Sequence, residues 1–190
     1  MKMLRTIRLD PSDRFVFAHA AEPGEWAVAG SFLFWGRDPA GFDGKQRTAF
    51  RAGFVGVDSL GFSTLSVVQP IRPDEREAAV GALARHLCDE LGAPDMAAAR
   101  MAAEEEIAFS VSLADHDEGT LVAMHRFVEN GEIREQFRTL KPRELAPGAD
   151  SLHAQIRAFS FHEVIEDHEV IEDGEVAEQV DLIGMMETRR

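Results

Sequence analysis

The stretch that decides the fold is 121–140, LVAMHRFVENGEIREQFRTL. Apolar and polar residues alternate on both sides of Asn130-Gly131, and this dipeptide is the strongest short-range signal for a two-residue hairpin turn. We therefore predict an antiparallel hairpin that starts from a Glu129–Glu132 pair.

The predicted turn also decides which side chains share a face of the hairpin. One face carries the pairs Val128–Ile133, Arg126–Glu135, Met124–Phe137 and Val122–Thr139; the other carries Phe127–Arg134, His125–Gln136 and Ala123–Arg138. The first face is predicted to face the core, because a slip by one residue would bury the histidine and two arginines instead. The second face then holds a basic strip, which we define as His125, Arg134, Gln136 and Arg138.

Residues 3–70 are predicted to be β structure. Short apolar runs alternate with turn residues, and the predicted strands are Met3–Leu9, Arg14–Ala18, Trp26–Trp35, Ala52–Val57 and Phe62–Gln69. The connections at 10–13 and 58–61 are short enough for hairpins. Because a parallel pairing needs a crossover of a dozen or more residues, we expect a mainly antiparallel sheet.

Two amphipathic helices are predicted between the fifth and the sixth strand. The first begins at Pro73 and ends before Gly92, with a stripe of Val80, Leu83, Ala84, Leu87 and Leu91. The second runs from about Asp95 to Ala114, with Met96, Ala99, Ala103, Ile107 and Val111 on its inner side. Apolar residues at this spacing form the buried face of a helix.

These patterns predict an α+β protein with a mainly antiparallel β-sheet of roughly seven or more strands. Two helices pack on one face of the sheet, and an extended acidic C-terminal segment follows. The predicted division is an α+β domain over residues 1–149 and an acidic segment over 150–190 that packs on the domain or on a second subunit.

The acidic segment has 11 acidic and 3 basic residues, and it repeats HEVIED at 162–167 and 168–173. A six-residue period keeps every residue on the same face of a strand but not of a helix, so we predict extended structure. A hairpin about Asp173-Gly174 is one arrangement, although it would place acidic residues opposite each other.

The composition restricts the classes of function. The 190 residues carry a net charge of −14, which disfavours nucleic acid and anionic membranes as partners. A single cysteine, Cys88, fits a reducing compartment, and its place beside the apolar stripe indicates a buried thiol. With neither a secretory signal nor a membrane-spanning stretch in this sequence, we expect a cytoplasmic location.

Known catalytic motifs for phosphate binding, nucleophilic attack and zinc coordination do not occur in the sequence. Two groups of residues could supply metal ligands: Glu104–Glu106, including Glu105, with His116, Asp117 and His125, and His162 with Glu166 and His168. A solvated helix face and a duplicated acidic surface explain both groups more simply. We therefore predict neither a metal nor a cofactor.

The aromatic run Phe32–Trp35 is followed by a turn-forming stretch, 36–39. Alternation on a strand would send its side chains to both faces, so the strand should be covered on both sides. The cover could be the protein's own helices and acidic segment, or a second subunit. A third interpretation is a small-molecule pocket with Trp35 and Arg37 as its walls.

Several segments carry a family resemblance: MLRTIRLDPSD at 3–13, AAEPGEWAV at 20–28, FLFWGRDP at 32–39, GFVGVDSLGFSTL at 53–65 and AAEEEIAFSVSL at 102–113. With these, the chain resembles a small alphaproteobacterial protein family of unknown function over most of residues 3–143. The resemblance implies a stand-alone cytosolic bacterial domain and carries no catalytic residue. The doubled HEVIED segment departs from what we expect of that family.

Two function classes follow. The first is an accessory or protein-interaction domain, with a protein partner or self-association into a homo-oligomer, in which the acidic segment helps to capture the partner. The alternative is a small metal- or ligand-binding enzyme that uses a polar cleft around His125, Arg134 and Arg138. Whether the protein is an enzyme stays open at this point, and the candidate binding residues are Trp35, Arg37, His125, Arg134, Gln136 and Arg138.

Overall fold

The computed structural model describes residues 1–8, 13–142 and 162–170. Its helices are α1 Asp13–Val16, α2 Gly44–Ala52, α3 Pro73–Asp89 and α4 Met96–Leu113. Its strands are β1 Lys2–Thr6, β2 Ala27–Val28, β3 Phe54–Gly56, β4 Phe62–Ser63, β5 Leu65–Pro70, β6 Leu121–Glu129, β7 Glu132–Pro142 and β8 His162–Val170. Two short 3₁₀ helices, Ser31–Phe34 and Pro39–Gly41, lie between β2 and α2.

The strands form two sheets. The larger has the order β1-β5-β6-β7-β8 and the smaller has the order β2-β3-β4. Every pairing between these strands is antiparallel, as predicted. The predicted α+β class and the antiparallel pairing are therefore confirmed. The single predicted sheet is wrong, because the described strands divide into two sheets of five and three strands.

The β6–β7 hairpin has the predicted register. Glu129 pairs with Glu132, and the pairing continues to Leu121–Leu140 without a shift. Asn130 and Gly131 have φ angles of 52° and 86°, the left-handed conformation that a type I′ turn requires. The predicted core face is buried along most of its length, and only the tip of the hairpin at Val128 is exposed.

The two long helices also lie where the sequence places them, between β5 and β6. The Asp95 carboxylate accepts a hydrogen bond from the backbone N–H of Ala98 and so begins α4. Helix α4 packs against β1 and β2, and the Ser110 hydroxyl donates to the carbonyl of Ala27 at 2.6 Å. Helix α3 packs against α4, and both contribute to one buried apolar cluster with β1, β2 and β3.

Three predictions for residues 10–57 are wrong. The predicted strand Arg14–Ala18 begins instead with the short helix α1. The predicted strand Trp26–Trp35 contains only two strand residues before a 3₁₀ helix begins at Ser31. The predicted hairpin between the first two strands does not form, because β1 pairs with β5.

Helix α2 is a further element that the β interpretation of residues 3–70 missed. Asp43 accepts a hydrogen bond from the N–H of Gln46, whose side chain accepts in turn from the N–H of Asp43. This reciprocal arrangement is the capping box that begins many helices. Helix α2 then packs on β6 through Phe50.

In the acidic segment the structure describes β8, which pairs with β7. The pairing runs from Pro142–His162 to Glu135–Val170, and its register shifts between Thr139 and Leu140 of β7. The predicted hairpin about Asp173-Gly174 and the predicted domain boundary near residue 150 lie outside the described residues.

Candidate functional site

A cleft of about 530 Å³ lies between the loop that follows the first 3₁₀ helix and the tip of the β6–β7 hairpin. The loop contributes residues 34–39, and the hairpin contributes Val128 and residues 131–134. We call this the Trp35 cleft. The two sides are about ninety residues apart in sequence, so only the tertiary fold brings them together.

The apolar part of the cleft is open to solvent. Phe34 is buried beneath it, whereas Trp35 is 62% exposed and Val128 is 45% exposed. Gly36 has a φ angle of +69°, which turns the chain sharply after the indole. A large exposed indole beside an exposed aliphatic side chain is typical of a binding surface rather than of a core.

Two arginines supply positive charge to the cleft. The guanidinium of Arg37 lies 4.7 Å above the ring of Phe42, a cation–π contact. Arg134 donates to the Glu132 carboxylate at 2.9 Å. Within the described ranges Arg37 forms no ion pair, so its charge remains available to a carboxylate of a ligand.

A buried arginine holds the two sides of the cleft together. Arg126, which is fully buried on β6, donates to the carbonyls of Ala29 at 2.6 Å and Phe50 at 2.8 Å. Its Nε donates to the Glu135 carboxylate at 2.6 Å. The guanidinium also lies 5.1 Å from the ring centroid of Phe34. These contacts join the hairpin to Ala29, which precedes the loop that carries Trp35, and to Phe50, which follows it.

The basic strip lies along the second face of the same hairpin, and its four members are half-buried. His125 is opposite Gln136, and its ring stacks on Phe127 at a centroid distance of 5.6 Å. Burial lowers the pKa of His125, as do the positive charges of Arg51 and Arg138, whereas a hydrogen bond with Gln136 raises it. The neutral imidazole is therefore favoured in the folded protein.

The structure divides the predicted binding residues into two groups. Trp35, Arg37 and Arg134 meet in the Trp35 cleft. His125, Gln136 and Arg138 lie further along the hairpin and do not line that cleft. The sequence did not indicate the contributions of Phe34, Val128 and Ile133, because no local pattern relates the loop to the hairpin tip.

The two groups of residues considered as metal ligands occupy different parts of the fold. Glu104 pairs with Arg100 at 3.3 Å and Glu105 is exposed. His162 and His168 occupy positions opposite Pro142 and Phe137. Among the residues whose side chains the structure describes, no group of three or more His, Cys, Asp or Glu could hold a metal ion.

Cys88 is partly buried and packs against the apolar cluster of α3 and α4.

None of the helices in the described part of the chain is long and apolar enough to span a membrane.

Comparison with protein-family models gives a match over most of the chain. The model of a family of unknown function, DUF6505, matches residues 1–178, which is most of the chain. No curated protein and no solved structure matches. The matched range includes both sides of the Trp35 cleft and the whole of β8. The chain therefore belongs to the DUF6505 family.

Proposed function

We propose that this protein is a cytosolic protein-interaction domain whose docking site is the Trp35 cleft. The observation that carries the proposal is the 62% exposure of Trp35 at the mouth of a cleft of about 530 Å³. Tryptophan and arginine are the residues most enriched among those that dominate binding energy at protein interfaces.

The chemistry of the cleft indicates the kind of partner. Trp35 and Val128 offer apolar contact area, and Arg37 offers a guanidinium without an ion pair in the described ranges. A segment that carries an aliphatic or aromatic side chain next to a carboxylate would satisfy both features.

Selection of random peptides displayed on phage against the full-length protein tests this proposal. We expect selected peptides to combine apolar and acidic residues and to bind the Trp35→Ala variant at least about tenfold more weakly, since truncation at a binding hot spot costs about 2 kcal/mol or more. Met101→Ala is the matched control, because Met101 on α4 is 66% exposed and does not line the cleft. Peptides that bind Trp35→Ala as well as the native protein would contradict the proposal.

A second candidate function uses the basic strip to hold a small anionic ligand. It is favoured by the positions of His125 and Arg138 on one face of the hairpin and by the positive charge of Arg51 on α2, which acts on His125. A thermal-shift screen of phosphates and carboxylates tests it, because a ligand at a hundred times its dissociation constant adds about 2.7 kcal/mol of stability. A ligand whose stabilising effect persists in Arg138→Gln would argue against this site.

A further inference from the structure

Helix α2 carries positive charge in a chain that is acidic as a whole. It reads GKQRTAFRA, with three basic residues and no acidic residue, whereas the net charge of the protein is −14. Lys45, Arg47 and Arg51 are all exposed. The helix therefore presents a local basic surface that the overall composition does not indicate.

Arg47 connects this helix to the Trp35 cleft. Its Nη2 donates to the carbonyl oxygen of Phe42 at 3.0 Å, and the guanidinium of Arg37 lies 4.7 Å from the ring centroid of the same residue. Arg37 lines the cleft, and the side chain of Phe42 is buried. Both guanidinium groups are therefore held beside one fixed residue at the side of the cleft.

Arg51 continues from Arg47 toward the basic strip. The two residues are four positions apart on α2, so they share a face of the helix and their Cβ atoms are about 6 Å apart. Arg51 follows Phe50, whose carbonyl oxygen accepts from Nη1 of Arg126 at 2.8 Å, and Arg126 follows His125 on β6. The C-terminal end of α2 therefore lies beside His125.

The electrostatics of His125 agree with this placement. Burial is the first cause that lowers its pKa, and the positive charges of Arg51 on α2 and Arg138 on β7 are the next two. Positive charge therefore continues from Arg37 in the cleft, across α2, to the basic strip on the hairpin. We call Arg37, Arg47 and Arg51 the arginine row.

Within the part of the chain that the structure describes, no carboxylate neutralises the arginine row. None of its three members forms an ion pair there. Asp38 and Asp43, the acidic residues of this stretch, accept hydrogen bonds from the backbone N–H groups of Ala40 and Gln46 instead. Exposed guanidinium groups without carboxylate partners are complementary to an acidic segment of another protein.

From the continuity of the arginine row with the cleft and its lack of carboxylate neighbours, we propose that the surface binds an acidic segment of a partner protein. The segment places an apolar side chain beside Trp35 and its carboxylates along Arg37, Arg47 and Arg51. Alternate residues of an extended chain are about 7 Å apart, so acidic residues at alternate positions match the spacing of Arg47 and Arg51. This inference rests on the proposed function, because the apolar side chain uses the same cleft.

Other polyanions fit the surface less well. Nucleic acids and anionic vesicles carry high charge, which the net charge of −14 repels at long range. A short peptide segment carries few charges and also supplies the apolar side chain that the cleft accommodates. The observations therefore favour a protein partner.

The test uses peptides selected from a random phage library against the full-length protein. The surface variant is Arg47→Gln/Arg51→Gln. The matched control is Arg76→Gln/Arg85→Gln on α3, which loses the same charge at residues that do not line the cleft. Affinities are measured by fluorescence anisotropy at about 0.05 M and about 0.5 M NaCl.

We expect the selected peptides to contain acidic residues and to bind the surface variant at least about threefold more weakly than the native protein at low salt. The control should stay within about twofold of the native protein. The difference should vanish at high salt, because the charges are then screened. A peptide whose acidic residues are replaced by glutamine should bind the native protein and the surface variant alike.

Because Arg47 also bonds to Phe42, its replacement can disturb the side of the cleft. Arg51→Gln alone avoids this contact and should still weaken binding about twofold at low salt. Equal affinities of the native protein, Arg51→Gln and the surface variant would overturn the proposal. Selected peptides without acidic residues would also overturn it.

Two patterns separate this inference from the proposed function. If the peptides depend on Trp35 but bind the surface variant as well as the control, the proposed function stands and only this inference is wrong. If they depend on the arginine row but not on Trp35, the proposed docking site is wrong, and the shared surface with it.

The same variants test the other occupants. A single-stranded RNA of twenty nucleotides or vesicles containing phosphatidylserine should bind more weakly than the peptides. Tighter binding of either that is lost in the surface variant would show that the partner class is wrong. Sedimentation that shows a native dimer and a monomeric surface variant would identify a second copy as the occupant and contradict the proposal.

Discussion

Arg126 is the single residue on which the geometry of the cleft depends most. Its fully buried guanidinium donates to two backbone carbonyls and pairs with the carboxylate of Glu135, whose side chain is 11% exposed. Removal of one partner of a buried ion pair is costly because the other charge stays buried without compensation.

We predict that Arg126→Met destabilises the protein by about 3–5 kcal/mol in urea unfolding. The double variant Arg126→Met/Glu135→Leu should recover part of the loss, because it removes the stranded carboxylate while the carbonyls of Ala29 and Phe50 remain unpaired. If Arg126→Met lowers the free energy of unfolding by less than about 1 kcal/mol, the buried pair does not hold the segments of Ala29 and Phe50 to the hairpin.

His125 gives the protein a pH dependence with a defined sign. Its pKa in the folded state lies below the usual histidine value of 6.5, because of burial and the neighbouring charges of Arg51 and Arg138. Between these two pKa values the unfolded chain binds more protons than the folded chain. The contribution of His125 to stability is therefore complete above about pH 6.5 and decreases as the pH falls below it.

We predict that the melting temperature of the native protein falls between pH 7.5 and pH 5.5 more steeply than that of His125→Gln. A proton NMR titration should place the pKa of His125 below 6.5, and Arg51→Ala should move it upward. An unchanged pKa in Arg51→Ala would mean that burial and Arg138 cause the shift without a contribution from Arg51.

Among the elements, α4 relies on small side chains for its approach to α3. Ala99 and Ala103 are fully buried in the cluster that both helices share, whereas Ala102 on the same helix is exposed. We predict that Ala103→Leu costs about 1–3 kcal/mol by overpacking the interface. Ala102→Leu is the matched control and should stay within about 0.5 kcal/mol of the native protein. Equal effects in urea unfolding would show that the packing there is loose.

The elements that local patterns specify were predictable. The Asn130-Gly131 turn predicts the observed register of β6 and β7. The apolar stripes locate α3 and α4, although their outermost members, Leu91 and Met96, are exposed. Alternation is less informative for a short aromatic run: it suggested a strand covered on both sides, but Phe34 is buried while the neighbouring Trp35 is exposed. The Asp43–Gln46 capping box was a usable signal for α2 that the β interpretation passed over.

The candidate site was predictable only in part, because long-range contacts build it. Trp35, Arg37 and Arg134 were candidates from sequence, but their convergence depends on the contacts of Arg126 with Ala29 and Phe50. The burial of Glu25 was equally unpredictable from the sequence. Its carboxylate accepts hydrogen bonds from the backbone N–H groups of Asp58 and Ser59, more than thirty residues away. Sequence patterns do not reveal that a side chain will bond to a backbone carbonyl or amide group that lies tens of residues away in the chain.

For the whole molecule, the net charge of −14 sets the response to salt. Ion pairs such as Arg72–Asp74 and Arg100–Glu77 have exposed partners, and pairs of this kind contribute little to stability. Repulsion among the excess carboxylates should then dominate, and it is screened as the Debye length falls from about 30 Å at 0.01 M to about 8 Å at 0.15 M salt.

We predict that NaCl over this range raises the melting temperature by about 2–4 °C, which corresponds to about 1 kcal/mol for a chain of this size. KCl at equal ionic strength should give the same rise, because screening does not depend on the identity of the ion. A melting temperature that falls with salt would mean that attractive pairs outweigh the repulsion, despite their exposure.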